Sequence, residues 1–381
     1  MVMKKFLAIV TMSNILYVGP VFAGALSNNY SQFKNMLNDK YGIEYNLNYS
    51  IMVQHASPSG KYNAVQSYLA PSITWTTFDN YYGTGVLNAS YYSIFYGNHN
   101  AADIQNRTGM ATPINDFTDN EQEFASLYYT YQLPRRYNWL SFGLGQYSLY
   151  AFDGNDYNNN QQVNFINYSL SQNGSATYAD AGLGAYIQVT PGNWSIIAGF
   201  QDATNIEAPS IRFNHLDDKH FTTFAQIGYN PNIKDLGEGQ YSIMFYNQPY
   251  VKEQPQTTNG WSINAQQNIS EKWALLGRIN GVSGSISSIK NSYVAGFVVN
   301  NPLNRNSLDQ IGMAYAYNDI DESAVGTELN HTGEHVLEAY WAWGISKWAT
   351  LTPDLQFYIN PALNNSSDYG TALSLRLSVF F

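Results

Sequence analysis

A closed antiparallel β-barrel spanning a bilayer is the fold the sequence predicts, and three observations predict it. Segments that alternate apolar and polar side chains recur along the chain, roughly sixteen of about ten residues each, the length that crosses a bilayer when a strand is tilted. The gaps between segments alternate short and long, as barrels with tight turns at one rim and loops at the other require. Finally, charged residues make up only 12% of the chain against the usual ~25%. Aromatics reach 15%, with Tyr (32) ahead of Phe (19), yet mean hydropathy is −0.31, so the apolar residues are not gathered into long runs.

The chain opens with Lys4 and Lys5, followed by an apolar run from Phe6 to Phe22 and small residues at Val21 and Ala23. That layout predicts a secretory signal peptide over residues 1–23. Thr11, Ser13 and Asn14 interrupt the run, leaving it short of the ~20 residues of a spanning helix. Residues 24–42 are expected to form a periplasmic segment with a short amphipathic helix over Tyr30–Lys40, and 43–381 the barrel. Of the 18 basic and 28 acidic side chains, removing the two leader lysines leaves 16 and 28, a formal charge of −12. Such a balance argues against nucleic acid, which needs a clustered basic surface. There is no cysteine, so an exported chain of this kind must be held by something other than disulfides.

Strands are expected to begin near Ile43, Gln66, Thr84, Phe124, Asn138, Gly182, Asn193, Phe221, Gln240, Gly260, Lys272, Ser292, Asp309, His335, Ala349 and Thr371. Tight connections follow even strands, at Pro134–Tyr137, Pro191-Gly192, Ser270-Glu271 and Ser346-Lys347, with Pro231–Gly239 intermediate. Long ones follow odd strands: Asn98–Glu123, Ser148–Ala181, Ala203–His220 and Asp319–Glu334. Trp139, Trp194, Trp273 and Trp348 each stand just after a tight turn, where an aromatic girdle would lie. Plain strand propensity accounts for them equally well. The last strand is the clearest. Leu373, Leu375, Leu377, Val379 and Phe381 alternate with Ala372, Ser374, Arg376, Ser378 and Phe380, and a charge at that depth must face a wet lumen. A terminal aromatic looks like the signal read by the outer-membrane barrel assembly machinery.

Three stretches resemble the carbohydrate-selective porin family typified by the glucose porins of pseudomonads. They are Leu37–Tyr49, Asn164–Asp180, and Glu338-Ala-Tyr-Trp-Ala-Trp343 followed by Leu351-Thr-Pro-Asp-Leu-Gln-Phe-Tyr-Ile-Asn-Pro361. The resemblance implies a sixteen-stranded barrel in the bacterial outer membrane, often homotrimeric. It would sit among outer-membrane lipid and lipopolysaccharide and pass mono- and oligosaccharides by diffusion without a cofactor.

In a pore the chemistry is a constriction that sets diameter and field. The loop Ser148–Ala181 is the expected inward fold, carrying Asp153, Asp156, Asn164, Asn167, Asn173 and Asp180 among Phe152, Tyr157, Phe165, Tyr168 and Tyr178. Carboxylates and amides bond sugar hydroxyls and aromatic faces stack on sugar rings. Strand parity adds Arg278, Glu338, Asp354, Gln356 and Arg376 as lumen-facing candidates, with acids and bases expected to face each other across the passage. Pairing of buried charges along the wall is the plainer alternative. Enzyme signatures are absent: no His-Glu-x-x-His, no G-x-S-x-G and no phosphate-binding Gly-Lys-Ser/Thr. A general diffusion pore, or a barrel whose loops act as an adhesin or scaffold, are the competing readings.

Overall fold

The computed structural model describes residues 20–58 and 62–381. Most of the predicted leader, residues 1–19, lies outside them. Sixteen wall strands occur among the described residues. They are β1 (Ile43–Ser57), β2 (Asn63–Asn80), β3 (Gly83–Tyr96), β4 (Glu121–Gln132), β5 (Leu140–Tyr147), β6 (Gly182–Val189), β7 (Trp194–Asp202) and β8 (Phe221–Tyr229). Then follow β9 (Gly237–Gln248), β10 (Thr258–Asn268), β11 (Trp273–Val282), β12 (Ile289–Asn300), β13 (Gln310–Ile320), β14 (Gly333–Gly344), β15 (Ala349–Ile359) and β16 (Tyr369–Phe380). A two-residue pairing at Asn232–Ile233 belongs to the β8–β9 turn. Every strand is antiparallel to its chain neighbours, and β1 pairs with both β2 and β16, so the sheet closes. Closure leaves no row of unpaired peptide groups facing hydrocarbon.

Burial follows strand parity. Leu373, Leu375 and Leu377 of β16 are 53%, 48% and 37% exposed, whereas Ala372, Ser374, Arg376 and Ser378 are buried. The apolar row therefore faces lipid and the polar row faces inward, the reverse of a soluble protein. The same division holds along β15, where Thr350, Thr352, Asp354, Gln356 and Tyr358 point inward and Leu351 and Leu355 outward. Trp194 and Trp273 join the outer surface beside Tyr229 and Phe297, with ring centroids 4.6 and 5.6 Å apart. Trp139 lies exposed in the turn before β5, and Trp348 packs edge-on against Tyr30. The girdle thus takes two of the four tryptophans, and turn or helix packing takes the others. His335 faces outward between Tyr315, 2.5 Å from its Nδ1, and Tyr317.

Three expectations need correction. The strands are not uniformly about ten residues: β1, β2 and β3 have 15, 18 and 14. Their extra length reaches the tight-turn rim, where helix α1 (Pro20–Tyr41) docks; Trp75 Nε1 donates to the Tyr41 carbonyl at 3.2 Å. This helix is longer than the predicted Tyr30–Lys40, and Tyr30 meets Tyr45, Trp348 and Phe381 at the seam between β1 and β16. The alternation of connections also breaks locally. Residues 301–309, after the even strand β12, form a longer link than residues 283–288 after the odd strand β11. An Arg305–Asp309 ion pair at 2.5 Å and the Asp309 bond to the Gly344 N–H tie that longer turn to the rim.

Candidate functional site: the constricted lumen

Two long loops turn into the barrel instead of standing above it. The first joins β3 to β4 through a short helix, α2 (Ala101–Thr108), whose Asn100 cap and Asp103 form a reciprocal capping box. The second is the predicted loop between β5 and β6, which includes the single turn α3 (Tyr168–Ser171). A loop inside a barrel brings backbone polar groups with it, and each needs a partner. Inward-facing side chains of the wall supply many of them.

Most of the sequence-predicted site residues serve this purpose. Asp153 accepts from Ser262 Oγ, from Asn264 at 3.0 Å, from Asn173 at 2.7 Å and from the Tyr178 hydroxyl at 3.2 Å. Arg278 Nε donates to Asn264 at 2.7 Å, and its Nη2 reaches the Asn158 carbonyl at 2.7 Å and Oδ1 at 2.9 Å. Arg376 donates to the Gln161 carbonyl and, at 3.1 Å, to that of Asn164. Glu338 accepts the Ile166 and Asn167 N–H groups at 2.5 and 2.9 Å. Asn167 then donates to the Tyr358 hydroxyl at 2.6 Å, to Gln356 at 3.3 Å and to the Pro113 carbonyl of the first loop at 3.0 Å. Asn164 donates to Gln310 at 2.8 Å. Asp156 sits exposed and accepts from Gln240 and Gln266 at 2.9 and 3.2 Å. Asp354 is buried beside this network, next to Glu338 and Gln356.

The expected field of acids and bases facing each other across the passage is therefore not what these residues make. Arg278 and Arg376 are each 1% exposed, and Glu338 and Gln356 are fully buried, because the loop lies over them. They line the wall behind the loop, not the open space. Of the eleven candidates, Asp180 alone also lines the principal cavity.

That cavity, about 520 Å³, runs between the loops and the opposite flank of the barrel, β2 to β5. Tyr68, Ser72, Asn88, Ser90, Tyr92 and Tyr128 line it from the wall; Tyr147, Tyr150, Phe152, Gln161, Gln162 and Tyr168 line it from the end of β5 and the second loop. Tyr68 lies 5.7 and 5.6 Å from the rings of Tyr92 and Phe117, so the flank is an aromatic cluster with hydroxyls along it. Its charge is entirely negative: Asp116, Glu121, Glu123 and Asp180 border it, and no described lysine or arginine does. Carboxylate oxygens of Glu121, Glu123 and Asp180 lie within 4.8 Å of one another, close enough to share a cation. Burial and the nearby Glu121 charge push the Asp116 carboxyl up to about 7, against a smaller opposing pull from Arg278. Asp180 is raised by burial, then by Glu121 and Asp116. Neutral carboxyls are favoured here because like charges crowd a poorly solvated space.

Asp116, Glu121, Glu123 and the wall tyrosines are absent from the sequence-level candidates. Glu121 and Glu123 fall inside the span read as a loop, although their spacing of two already places them on one strand face. Nothing in the sequence announces that the first loop also folds inward.

Residues 99–381 match the carbohydrate-selective porin, OprB family. The chain belongs to that family. Porin AaxA of Chlamydia pneumoniae is 39% identical to this porin over 320 residues, 82% of this chain and 72% of that protein. Porin AaxA of Chlamydia abortus is 34% identical over 342 residues, 87% and 76% of the two chains. The high-pH structure of Pseudomonas putida OprB shares the fold, with a TM-score of 0.75 at 13% identity, covering 93% of this chain and 97% of that one. This porin therefore resides in the bacterial outer membrane and provides a path for solute diffusion. The fold also explains the family motifs physically. The Asn164–Asp180 stretch is the C-terminal half of the second loop, and Glu338, Gln356 and Tyr358, from the two C-terminal stretches, are wall groups that grip it.

Proposed function

We propose that this porin passes small hydrophilic solutes, among them mono- and oligosaccharides, and that its constriction favours neutral and cationic solutes over anions. The observation that carries this reading is the lining of the open cavity, four carboxylates and a bank of tyrosines with no base. A ring of acids lowers the energy of a passing cation and raises that of an anion in a narrow, poorly screened space. Tyrosine faces receive either the C–H surface of a sugar or the positive group of an organic cation. A specific observation favours the cationic side over a purely neutral one: Glu121, Glu123 and Asp180 converge without a counter-charge among the described residues. We further propose that copies associate as trimers and that Phe381, joined to Leu47 by paired main-chain bonds of 2.9 and 3.0 Å, is presented to the assembly machinery before the seam closes.

Reversal potentials across planar bilayers in a potassium chloride gradient test the charge preference. Cation over anion permeability should exceed one at about pH 8 and fall as pH drops towards ~5, since the Asp116 carboxyl, pushed up to about 7, takes up its proton in that window. The double variant Glu121→Gln/Glu123→Gln should lower the ratio at pH 8. A preference for chloride in the unaltered protein would sink the proposal. Liposome swelling with sugars and size-matched neutral non-sugars reads the carbohydrate component; rates that scale with size alone would remove it.

A further inference from the structure

The passage is bounded on one side by loops that are held from the opposite wall. Glu334 and Glu338 lie four residues apart on β14, on the same inward face and about 13 Å apart along the strand. Each carboxylate grips a pair of adjacent backbone N–H groups. The two oxygens of Glu338 take the Ile166 and Asn167 N–H groups of the second loop at 2.5 and 2.9 Å. Those of Glu334 take Ala111 and Thr112 of the first loop at 2.8 and 2.7 Å, and also the Ala362 N–H of the β15–β16 connection at 2.9 Å. Both side chains are fully buried. The loops are in turn joined to each other, since the Tyr168 N–H and the Asn167 amide both donate to the Pro113 carbonyl.

We propose that Glu334 and Glu338 are positioning residues that act as a two-point latch, keeping the paired loops against β14 and the passage along β2–β5 open. The four loop N–H groups are bonded to charged acceptors, the stronger kind of hydrogen bond. Released from these acceptors, they would be satisfied just as well by lumen water, and the loops would stay on the wall only through neighbouring bonds such as Asn167 to Tyr358 and Arg376 to the Asn164 carbonyl, a weaker hold. The space into which the second loop would swing is the cavity itself, which Gln161, Gln162 and Tyr168 of the same loop already border. Loss of the latch therefore produces closures, not a wider pore. The inference rests on the chain forming an open channel, as proposed above.

Single-channel recording of the full chain tests it, with Glu338→Gln, Glu334→Gln and their combination, and Glu328→Gln in an exposed loop as control. Folded barrels are selected by their heat-modifiable gel migration, which a merely structural loss would abolish. Expected for Glu338→Gln is an open-level conductance near that of the unaltered protein, with about tenfold more time spent closed, the size of effect that losing one charge-assisted bond produces. The double variant should close more than either single one, and the control should behave as the unaltered protein. Glu338→Asp, which keeps the charge but withdraws it from the loop, should also close. Unchanged closed time in folded Glu338→Gln overturns the latch, and so does an altered open level without added closures, because the charge would then act on ions directly. Failure of both Glu338 variants to form barrels overturns it too, since the group would be needed to build the wall. An unaltered protein that conducts while its variants match it refutes the latch alone; one that never conducts refutes the pore.

Discussion

Arg376 shows how one side chain reads differently from sequence and from structure. On β16 it is the only charge in a strand of leucines and serines, and parity sends it into the lumen. A lumen-facing arginine suggests a contact for passing solutes. Its guanidinium instead ends on the carbonyls of Gln161 and Asn164, next to buried Glu338 and Asp354. Replacing it leaves those carbonyls and acids without their cation. Arg376→Met should therefore destabilise the barrel by about 3 kcal/mol, the scale for breaking a buried charge arrangement. Thermal unfolding in detergent would check this; an unchanged midpoint would mean that water substitutes freely. The direction of Arg376 was legible in the sequence because alternation is a local property. Its partners were not, because they come from a loop more than two hundred residues away. Arg278 likewise finds its loop partners Asp153 and Asn158 more than a hundred residues away. Glu121 and Glu123 illustrate the opposite failure, a readable spacing hidden by taking their segment as a loop.

Among elements, the strands were the most legible and the loops the least. Predicted strand starts fall within three residues of the observed ones, since Gly, Pro and Asn punctuation marks where each ladder ends. The lipid face is fixed equally firmly. Leu375→Arg, which places a charge on that face, should cost about 2–4 kcal/mol and reduce the yield of folded barrel in a detergent refolding assay. Equal yields would argue that Leu375 does not face hydrocarbon. Loop direction depends instead on bonds with distant strands. The β5–β6 loop was expected to fold inward, whereas the β3–β4 loop joins it through contacts such as Glu334 to Ala111 and Thr112. Deleting Asp153–Gly174 removes most of the inner partition and should raise single-channel conductance. A correctly folded deletion with unchanged conductance would count against the loop as the narrowing element.

At the scale of the molecule, the barrel and its contents divide two tasks. The wall satisfies the membrane, with every strand paired and apolar rows outside. The interior is asymmetric: the folded loops are tied to strands on the β8–β16 side, and the free space lies towards β2–β5, bordered by acidic and aromatic side chains. Sequence reasoning captured the container because hydrocarbon imposes one rule at every strand. It missed which side stays empty, because that is decided by a few long-range bonds that no periodicity records.

The off-centre position of the free space has a consequence for how such a scaffold can diversify. The widest solute admitted is set by the bulk of the inner partition, not by the circumference of the sheet. Lengthening or trimming two hydrophilic segments would retune the exclusion limit while all sixteen staves of the cask keep their places.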